Sequence, residues 1–190
     1  MLVARERRVG EVATLHGFVG LGTCASLIAF YIVGGAFGAI NDVGNAVFGV
    51  LSAVLAWVWF ADARILPVVA TVGAAITVVG SILVLTGATG FFLAGLVSSV
   101  GFAVIGVWLV AVNRELDGSW SRQLRRAGLV AGAVMLLGFV NLPGVAMGAD
   151  DMDAAPAWTY LGGLSWAGTY LLFPAWSLSL SPTASDPGAD

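Results

Sequence analysis

Long runs without charged residues alternate with short charged segments along this chain. Residues 12–41, 43–61, 65–113, 127–149 and 154–185 contain no Asp, Glu, Lys or Arg. Because a helix needs about 20 apolar residues to cross ~30 Å of hydrocarbon, each run is long enough for a membrane helix. The run 65–113 is long enough for two helices.

The break within that run is predicted at residues 87–90, Gly-Ala-Thr-Gly, where two glycines give the backbone the freedom of a tight turn. The pattern therefore predicts an all-α fold, a polytopic membrane bundle of six transmembrane helices forming one domain over residues 1–180. The predicted spans lie near 12–33, 44–60, 65–85, 91–112, 127–147 and 158–178. Residues 181–190 are small, polar and interrupted by proline, which predicts a disordered cytoplasmic tail.

The arginines predict how these spans are threaded. All eight cationic residues are arginines, and they lie at 5–8, at 64 and at 114–126. Since cationic flanks are retained in the cytoplasm, alternate loops place every arginine inside and both termini in the cytoplasm. The opposite face receives Asp42, the turn at 87–90 and the aspartates at 150–153.

Composition narrows the class of protein further. The chain is 59% hydrophobic and 10% charged, with a mean hydropathy of +0.96, whereas soluble domains are about 25% charged. The expected location is the cytoplasmic membrane of a bacterium or archaeon, with the lipid bilayer as the first partner and other membrane subunits or further copies as additional ones. The net charge of −3 provides no basic surface for nucleic acid.

No cofactor or metal site is predicted. The chain has one histidine and one cysteine, whereas structural zinc needs four nitrogen or sulfur ligands. The only ionisable side chain within a predicted span is His16, which argues against a pump that works through buried carboxylates.

His16 is the first candidate site residue. It shares one helical stripe of small and polar groups with Gly20, Thr23 and Cys24, at i, i+4, i+7 and i+8. The simplest interpretation is a neutral imidazole hydrogen bonded to a neighbouring helix. Proton handling or ligand binding is the alternative.

Asn41, Asp42 and Asn45 form a second candidate, predicted at the turn that leads into the second span. Asn and Asp commonly cap backbone amides there, and a vestibule for a cation or solute is the alternative. Asn141 is the third candidate, because it lies beside Pro143. An ordinary kink is favoured there over a broken helix that lines a transport site, for which Pro174 would supply a mate.

Glycine spacing and two further residues complete the candidates. Gly128 and Gly132 lie four residues apart well inside a span, which predicts a close helix contact. Trp166 lies at mid-span and is interpreted as a packing residue. Ser165 lies two residues after Gly163, a spacing that is similar to the serine motif of rhomboid proteases. In those enzymes, however, the histidine follows the serine, whereas His16 precedes Ser165, and Trp166 occupies the position where a glycine is expected. A structural hydroxyl is therefore favoured.

Three short motifs resemble a group of small bacterial multi-pass membrane proteins that carry a domain of unknown function. They are Gly38-Ala-Ile-Asn-Asp42, Gly106-Val-Trp-Leu109 and Pro174-Ala-Trp176. The resemblance covers most of the chain and implies the helix count, but it brings no functional residues.

Together these patterns predict a non-enzymatic membrane component, either an accessory subunit of a larger complex or a small homo-oligomer. A small permease or channel for a neutral or lipophilic solute is the alternative, with His16, Asn41, Asp42, Asn45 and Asn141 as its polar lining. An intramembrane hydrolase is the third and least favoured hypothesis.

Overall fold

The computed structural model describes residues 2–59, 65–115 and 121–180, with side chains from residue 7 onward. Every regular element in these ranges is helical. The long helices are α1 (Leu2–Val33), α2 (Phe37–Trp59), α3 (Ile65–Leu85), α4 (Phe91–Glu115) and α5 (Arg122–Met135). They are followed by a 3-10 helix (Leu136–Asn141), α6 (Leu142–Met147), α7 (Thr159–Gly163), α8 (Ser165–Ala167), a π-helix (Gly168–Leu172) and α9 (Phe173–Leu178).

Five helical stretches within the described ranges are long and apolar enough to cross a membrane. They are Arg7–Val33, Phe37–Trp59, Ile65–Leu85, Phe91–Glu115 and Arg122–Met147. The predictions of an all-helical fold and of a membrane protein are confirmed at this level. The sixth predicted span, 158–178, contains α7, α8, the π-helix and α9, which follow one another directly except for the turn residue Leu164. The tail at 181–190 and the arginine at position 64 lie outside the described residues.

The two ends of the bundle differ in charge. Gly34 and Gly35, with φ of +73° and +66°, turn the chain between α1 and α2. At the same end the Asp150 carboxylate accepts hydrogen bonds from the backbone N–H groups of Gly90 and Leu93, which open α4. We call this the aspartate end.

The opposite end is the arginine end. It contains the beginning of α1, where Arg7 pairs with Glu11 at 2.9 Å. It also contains the junction of α4 and α5, where Arg125 Nε donates to the Asn113 carbonyl at 3.3 Å. The alternation of charge along the sequence therefore corresponds to two chemically distinct ends of one bundle.

The structure corrects where α2 begins. The sequence predicted a span from residue 44, with Asn41, Asp42 and Asn45 at the turn, but the helix begins at Phe37. Because the two glycines complete the turn within a few residues, the helix starts earlier than the hydropathy pattern suggests. The three polar residues therefore lie inside the helix and do not cap its end.

Helix α4 is the central helix. About 67% of its most apolar stretch is buried, against 28–44% for the other four spans. Small residues let its neighbours approach closely, as is usual where lipid gives no hydrophobic drive for association. A methyl group added at Gly73 of α3 would lie 2.6 Å from the Gly101 carbonyl oxygen of α4, and one added at Gly101 would lie 2.7 Å from the Gly73 oxygen.

The predicted contact glycines pack on the other side of α4. Gly128 lies against the Asn113 side chain, and a methyl group at Gly132 would be 2.9 Å from the Gly106 carbonyl oxygen. The structure thus places both glycines at a contact between α4 and α5 within one chain.

Prolines accompany irregular turns in the last two segments. Pro143 has no N–H, and the Phe139 carbonyl accepts instead from Leu142 in a 3-10 turn. Before Pro174 the chain forms a π turn, in which the Phe173 N–H donates to the Gly168 carbonyl. The segment that contains Pro143 and the segment that contains Pro174 pack closely together. A methyl group added at Gly168 would lie only 2.8 Å from the Met135 backbone nitrogen.

We predict that Gly101→Ala lowers the free energy of unfolding in detergent by about 1–3 kcal/mol, because the added methyl group overpacks the contact with α3. The matched control is Gly22→Ala on α1, where an added methyl group meets no atom within 4 Å. That control should leave stability unchanged or raise it by up to ~1 kcal/mol through helix propensity. Denaturation in mixed micelles measures both, and equal effects would contradict the close contact.

Candidate functional site

His16 lies at the centre of a polar cluster that joins three helices. Its Nε2 atom is 3.0 Å from Ser52 Oγ on α2, and its Nδ1 atom is 2.8 Å from Ser177 Oγ on α9. The Ser52 hydroxyl donates to the Phe48 carbonyl at 2.8 Å. Ser52 must therefore accept the His16 Nε2–H, and Nδ1 accepts the Ser177 hydroxyl proton.

This arrangement satisfies a neutral imidazole completely. The side chain of His16 is 0% exposed, and the rings of Phe48 and Phe173 lie 4.3 and 4.4 Å from its ring centre. On its helical stripe, Gly20 lies against Phe48 and Pro174. The geometry is that of a polar contact that holds helices together.

Ser165 does not pair with His16. Its side chain is buried, and its Oγ atom has no hydrogen-bond partner among the described residues. Both ring nitrogens of His16 are bonded to other hydroxyls. The two residues weighed as nucleophile and base therefore form no catalytic pair in this structure.

Asn41 and Asn45 belong to a second network, between α1, α2 and the π-helix. Asn41 Nδ2 donates to the Thr23 carbonyl at 3.1 Å, and Asn45 Nδ2 donates to Asn41 Oδ1 at 3.2 Å. The Tyr170 hydroxyl donates to Asn45 Oδ1 at 2.7 Å. These amides connect helices, a role that the capping interpretation did not include.

Asp42 lines a small cavity beside this network, in the half of the bundle nearer the aspartate end. The cavity has a volume of about 20 Å³, which is room for about one water molecule. Its remaining polar lining comes from α2, α4 and the π-helix: Asn41, Asn45, Ser98, Ser99, Thr169 and Tyr170.

Asn141 joins the 3-10 segment to α4. Its Nδ2 atom donates to Ser99 Oγ at 2.7 Å, and the Ser99 hydroxyl donates to the Leu96 carbonyl at 2.7 Å. The Asn141 Oδ1 atom is buried without a donor among the described residues and lies against Gly162. A buried acceptor without a donor is a place where a ligand hydroxyl or amine would be stabilised.

A second cavity, with a volume of about 160 Å³, opens beside Asn141. It lies near the aspartate end and is mainly apolar. Its lining comes from α1, α4, the 3-10 helix, the 148–158 connection and the segment after it: Tyr31, Phe91, Phe92, Gly95, Leu96, Asn141, Met152, Ala155, Thr159, Tyr160, Gly163 and Trp166.

The two cavities are neighbours. Phe91, Gly95 and Trp166 line both of them, and the Ser99–Asn141 hydrogen bond links a residue of one lining to a residue of the other. Trp166, interpreted from sequence as a packing residue, therefore lies with Phe91 and Gly95 between the cavity that Asp42 lines and the larger, mainly apolar one.

The sequence analysis did not single out Ser98, Ser99, Thr169 or Tyr170. Each is a polar side chain within an apolar run, and that was the available signal. Serine and threonine are common in membrane helices, where their hydroxyls bond to the preceding turn, so the signal did not distinguish these four from residues such as Ser26.

Comparisons with protein-family models, with curated proteins and with solved structures found no match. The resemblance to small multi-pass proteins noted from three motifs stays a prediction.

We predict that Ser52→Ala and Ser177→Ala each lower the free energy of unfolding by about 0.6–1.7 kcal/mol, the range for hydrogen bonds between membrane helices. The matched control is Ser26→Ala, because the Ser26 hydroxyl bonds only to the Gly22 carbonyl on the exposed side of α1. In a His16→Ala background the Ser177→Ala effect should disappear. A Ser177→Ala effect no larger than that of the control would contradict the network.

Proposed function

We propose that this protein is a non-enzymatic component of a cell membrane that binds a small, largely apolar molecule carrying one hydrogen-bond donor. The observation that carries the proposal is the mainly apolar cavity of about 160 Å³ whose lining includes the Asn141 side chain. An apolar protein cavity of ~150 Å³ binds benzene. The expected ligand is therefore about the size of a substituted benzene.

The lining supports this chemistry. Aromatic side chains at Phe91, Phe92 and Trp166 favour a flat apolar body. The Asn141 amide nitrogen is already bonded to Ser99, and the Thr159 hydroxyl donates to the Pro156 carbonyl at 2.7 Å. Asn141 Oδ1 is a side-chain acceptor of the lining without a donor among the described residues, and a hydroxyl or amine on the ligand would bond to it after displacing the contact with Gly162. Tyr31, Tyr160 and Trp166 also line the cavity and carry donor groups.

Movement of the solute through the bundle is the second function, and the paired irregular turns favour it. Irregular backbone inside a membrane is tolerated where it is buried in protein or lines a cavity, and transporters build sites from such broken helices. Here Asn141 ends the 3-10 segment and Trp166 precedes the π segment, and both residues line the larger cavity. A small permease would use Trp166 as the barrier between the two cavities.

The proposed topology has six spans with both termini in the cytoplasm. Its support is the separation of an arginine end from an aspartate end. The last segment also runs from one end to the other, since Gly162 lies against Asn141, whereas Leu178 lies against Gly17. The exposed apolar side chains of the bundle, such as Ile32 and Ile65 at 78% and 79%, suit lipid, and further copies or other membrane subunits are the remaining proposed partners.

We expect a membrane-impermeant maleimide to label Ala88→Cys in intact cells, and to label Gln123→Cys and Ser179→Cys only after lysis. Each variant is made on Cys24→Ala, which removes the one native cysteine. Gln123 and Ser179 are exposed and report the arginine end, one in the first turn of α5 and one directly after α9. Labelling of Ser179→Cys from outside would reduce the spans to five, and labelling of Gln123→Cys from outside would reverse the orientation.

We predict that the purified protein in nanodiscs binds 4-fluorophenol saturably, as measured by ¹⁹F NMR, and binds fluorobenzene more weakly. Gly95→Leu should abolish binding, because its side chain would enter the cavity from α4. An added methyl group there meets only Trp166, at 4.0 Å. The control Gly22→Leu, which makes the same change on the exposed face of α1, should bind normally.

Asn141→Val tests the specificity of that site. It should weaken 4-fluorophenol binding about fivefold to tenfold and leave fluorobenzene unchanged, because it removes one acceptor and retains the volume. Binding that persists in Gly95→Leu would refute the cavity as the site. Equal losses for both probes in Asn141→Val would refute the role of the amide oxygen.

A further inference from the structure

Asp42 is a buried carboxylate within the membrane-spanning part of α2. Its side chain is 8% exposed and lines the cavity of about 20 Å³. Among the residues that the structure describes, it receives no hydrogen bond and forms no ion pair. From sequence, Asp42 was predicted at the outer turn, outside the spans. Because Asp42 lies inside α2, the protein does contain a carboxylate within a span.

An ionised carboxylate at this depth needs a compensating charge or several donors, because lipid and protein solvate it poorly. None of the other residues that line the cavity is an arginine, a lysine or a histidine. A protonated Asp42 needs no compensating charge, whereas the charge that balances an ionised Asp42 comes from outside the described part of the chain.

The polar side chains of the cavity wall offer oxygen lone pairs, beside apolar residues such as Leu27 and Phe102. The hydroxyl proton of Ser99 is bonded to the Leu96 carbonyl, and that of Tyr170 is bonded to Asn45 Oδ1. Thr169 and Ser98 add two more hydroxyl oxygens to the cavity wall. A wall of one carboxylate and several neutral oxygens is the ligand chemistry of a hard cation.

Charge and size identify the class of cation. One carboxylate balances one positive charge, whereas a divalent ion would retain an excess charge in a medium of low dielectric. Sites for divalent metal ions usually combine several His, Cys, Asp or Glu side chains, and the described residues contain no group of three or more of these. The volume accommodates one particle about the size of a water molecule.

We propose that Asp42 and the oxygen atoms around this cavity bind a single small monovalent cation, Na⁺. The hydroxyl oxygens of Thr169 and Ser98 complete the coordination from the π-helix and α4. The site joins elements that are distant in sequence, so an occupied site stabilises their packing. This site is separate from the cavity proposed for the apolar ligand, and either can exist without the other.

The test is binding of ²²Na⁺ to the full-length protein in nanodiscs at constant ionic strength, with N-methylglucamine as the replacement cation. Wild type should show saturable binding. Asp42→Asn should weaken it by more than about a hundredfold, the loss expected when one partner of a buried ion pair is removed. Asp153→Asn makes the same charge change at an exposed position of the aspartate end and should bind as wild type does.

Thr169→Val keeps the carboxylate and the side-chain shape, so it tests the site even where Asp42→Asn fails to fold. It should weaken Na⁺ binding about fivefold, the value of one neutral ligand, and leave 4-fluorophenol binding intact. Equal Na⁺ affinity in wild type, Asp42→Asn and Thr169→Val would overturn the proposal. An absence of saturable Na⁺ binding in wild type, with only proton uptake at low pH, would overturn it as well.

Discussion

A lipid bilayer supplies no hydrogen bonds, and the interior of this bundle is organised by that constraint. A buried polar group is stabilised when it finds a partner within the protein, and several polar side chains of the spans meet across helices. The imidazole of His16 is bonded on both sides, by Ser52 and Ser177. The amides of Asn41 and Asn45 continue to Tyr170. These contacts fix how the helices are rotated about their axes, which hydrophobicity in lipid cannot do.

Close backbone packing is the second consequence of the same solvent. Because lipid tails are as apolar as leucine, helices associate through van der Waals contact, and small residues permit it. The approach of Gly73 to Gly101 and of Gly132 to Gly106 holds α4 between α3 and α5. The remaining volume near the arginine end is filled by aromatic rings, such as the stacked pair Trp59 and Trp176 at 5.6 Å.

The half of the bundle near the aspartate end is packed differently. It contains both cavities, the unpaired carboxylate of Asp42 and the buried amide oxygen of Asn141. The segment that closes this half is interrupted by a π turn, and Trp166 lies at the boundary between the cavities. Buried polar atoms without a partner among the described residues also occur near the arginine end, at Asn113 Oδ1 and Trp176 Nε1. The binding chemistry is placed in the aspartate half because the two cavities lie there.

The sequence by itself determined the helical class, the five long spans and the separation of arginine from aspartate, because hydropathy and charge are properties of local stretches. It also identified His16, Asn141 and the polar residues of α2 as unusual. Only the tertiary structure decided their partners, since Ser52 and Ser177 lie 36 and 161 residues from His16 and their meeting depends on helix rotation. The turn at Gly34 and Gly35 likewise decided where α2 begins. Hydropathy alone had placed Asp42 at the outer turn, whereas the structure places it inside the bundle.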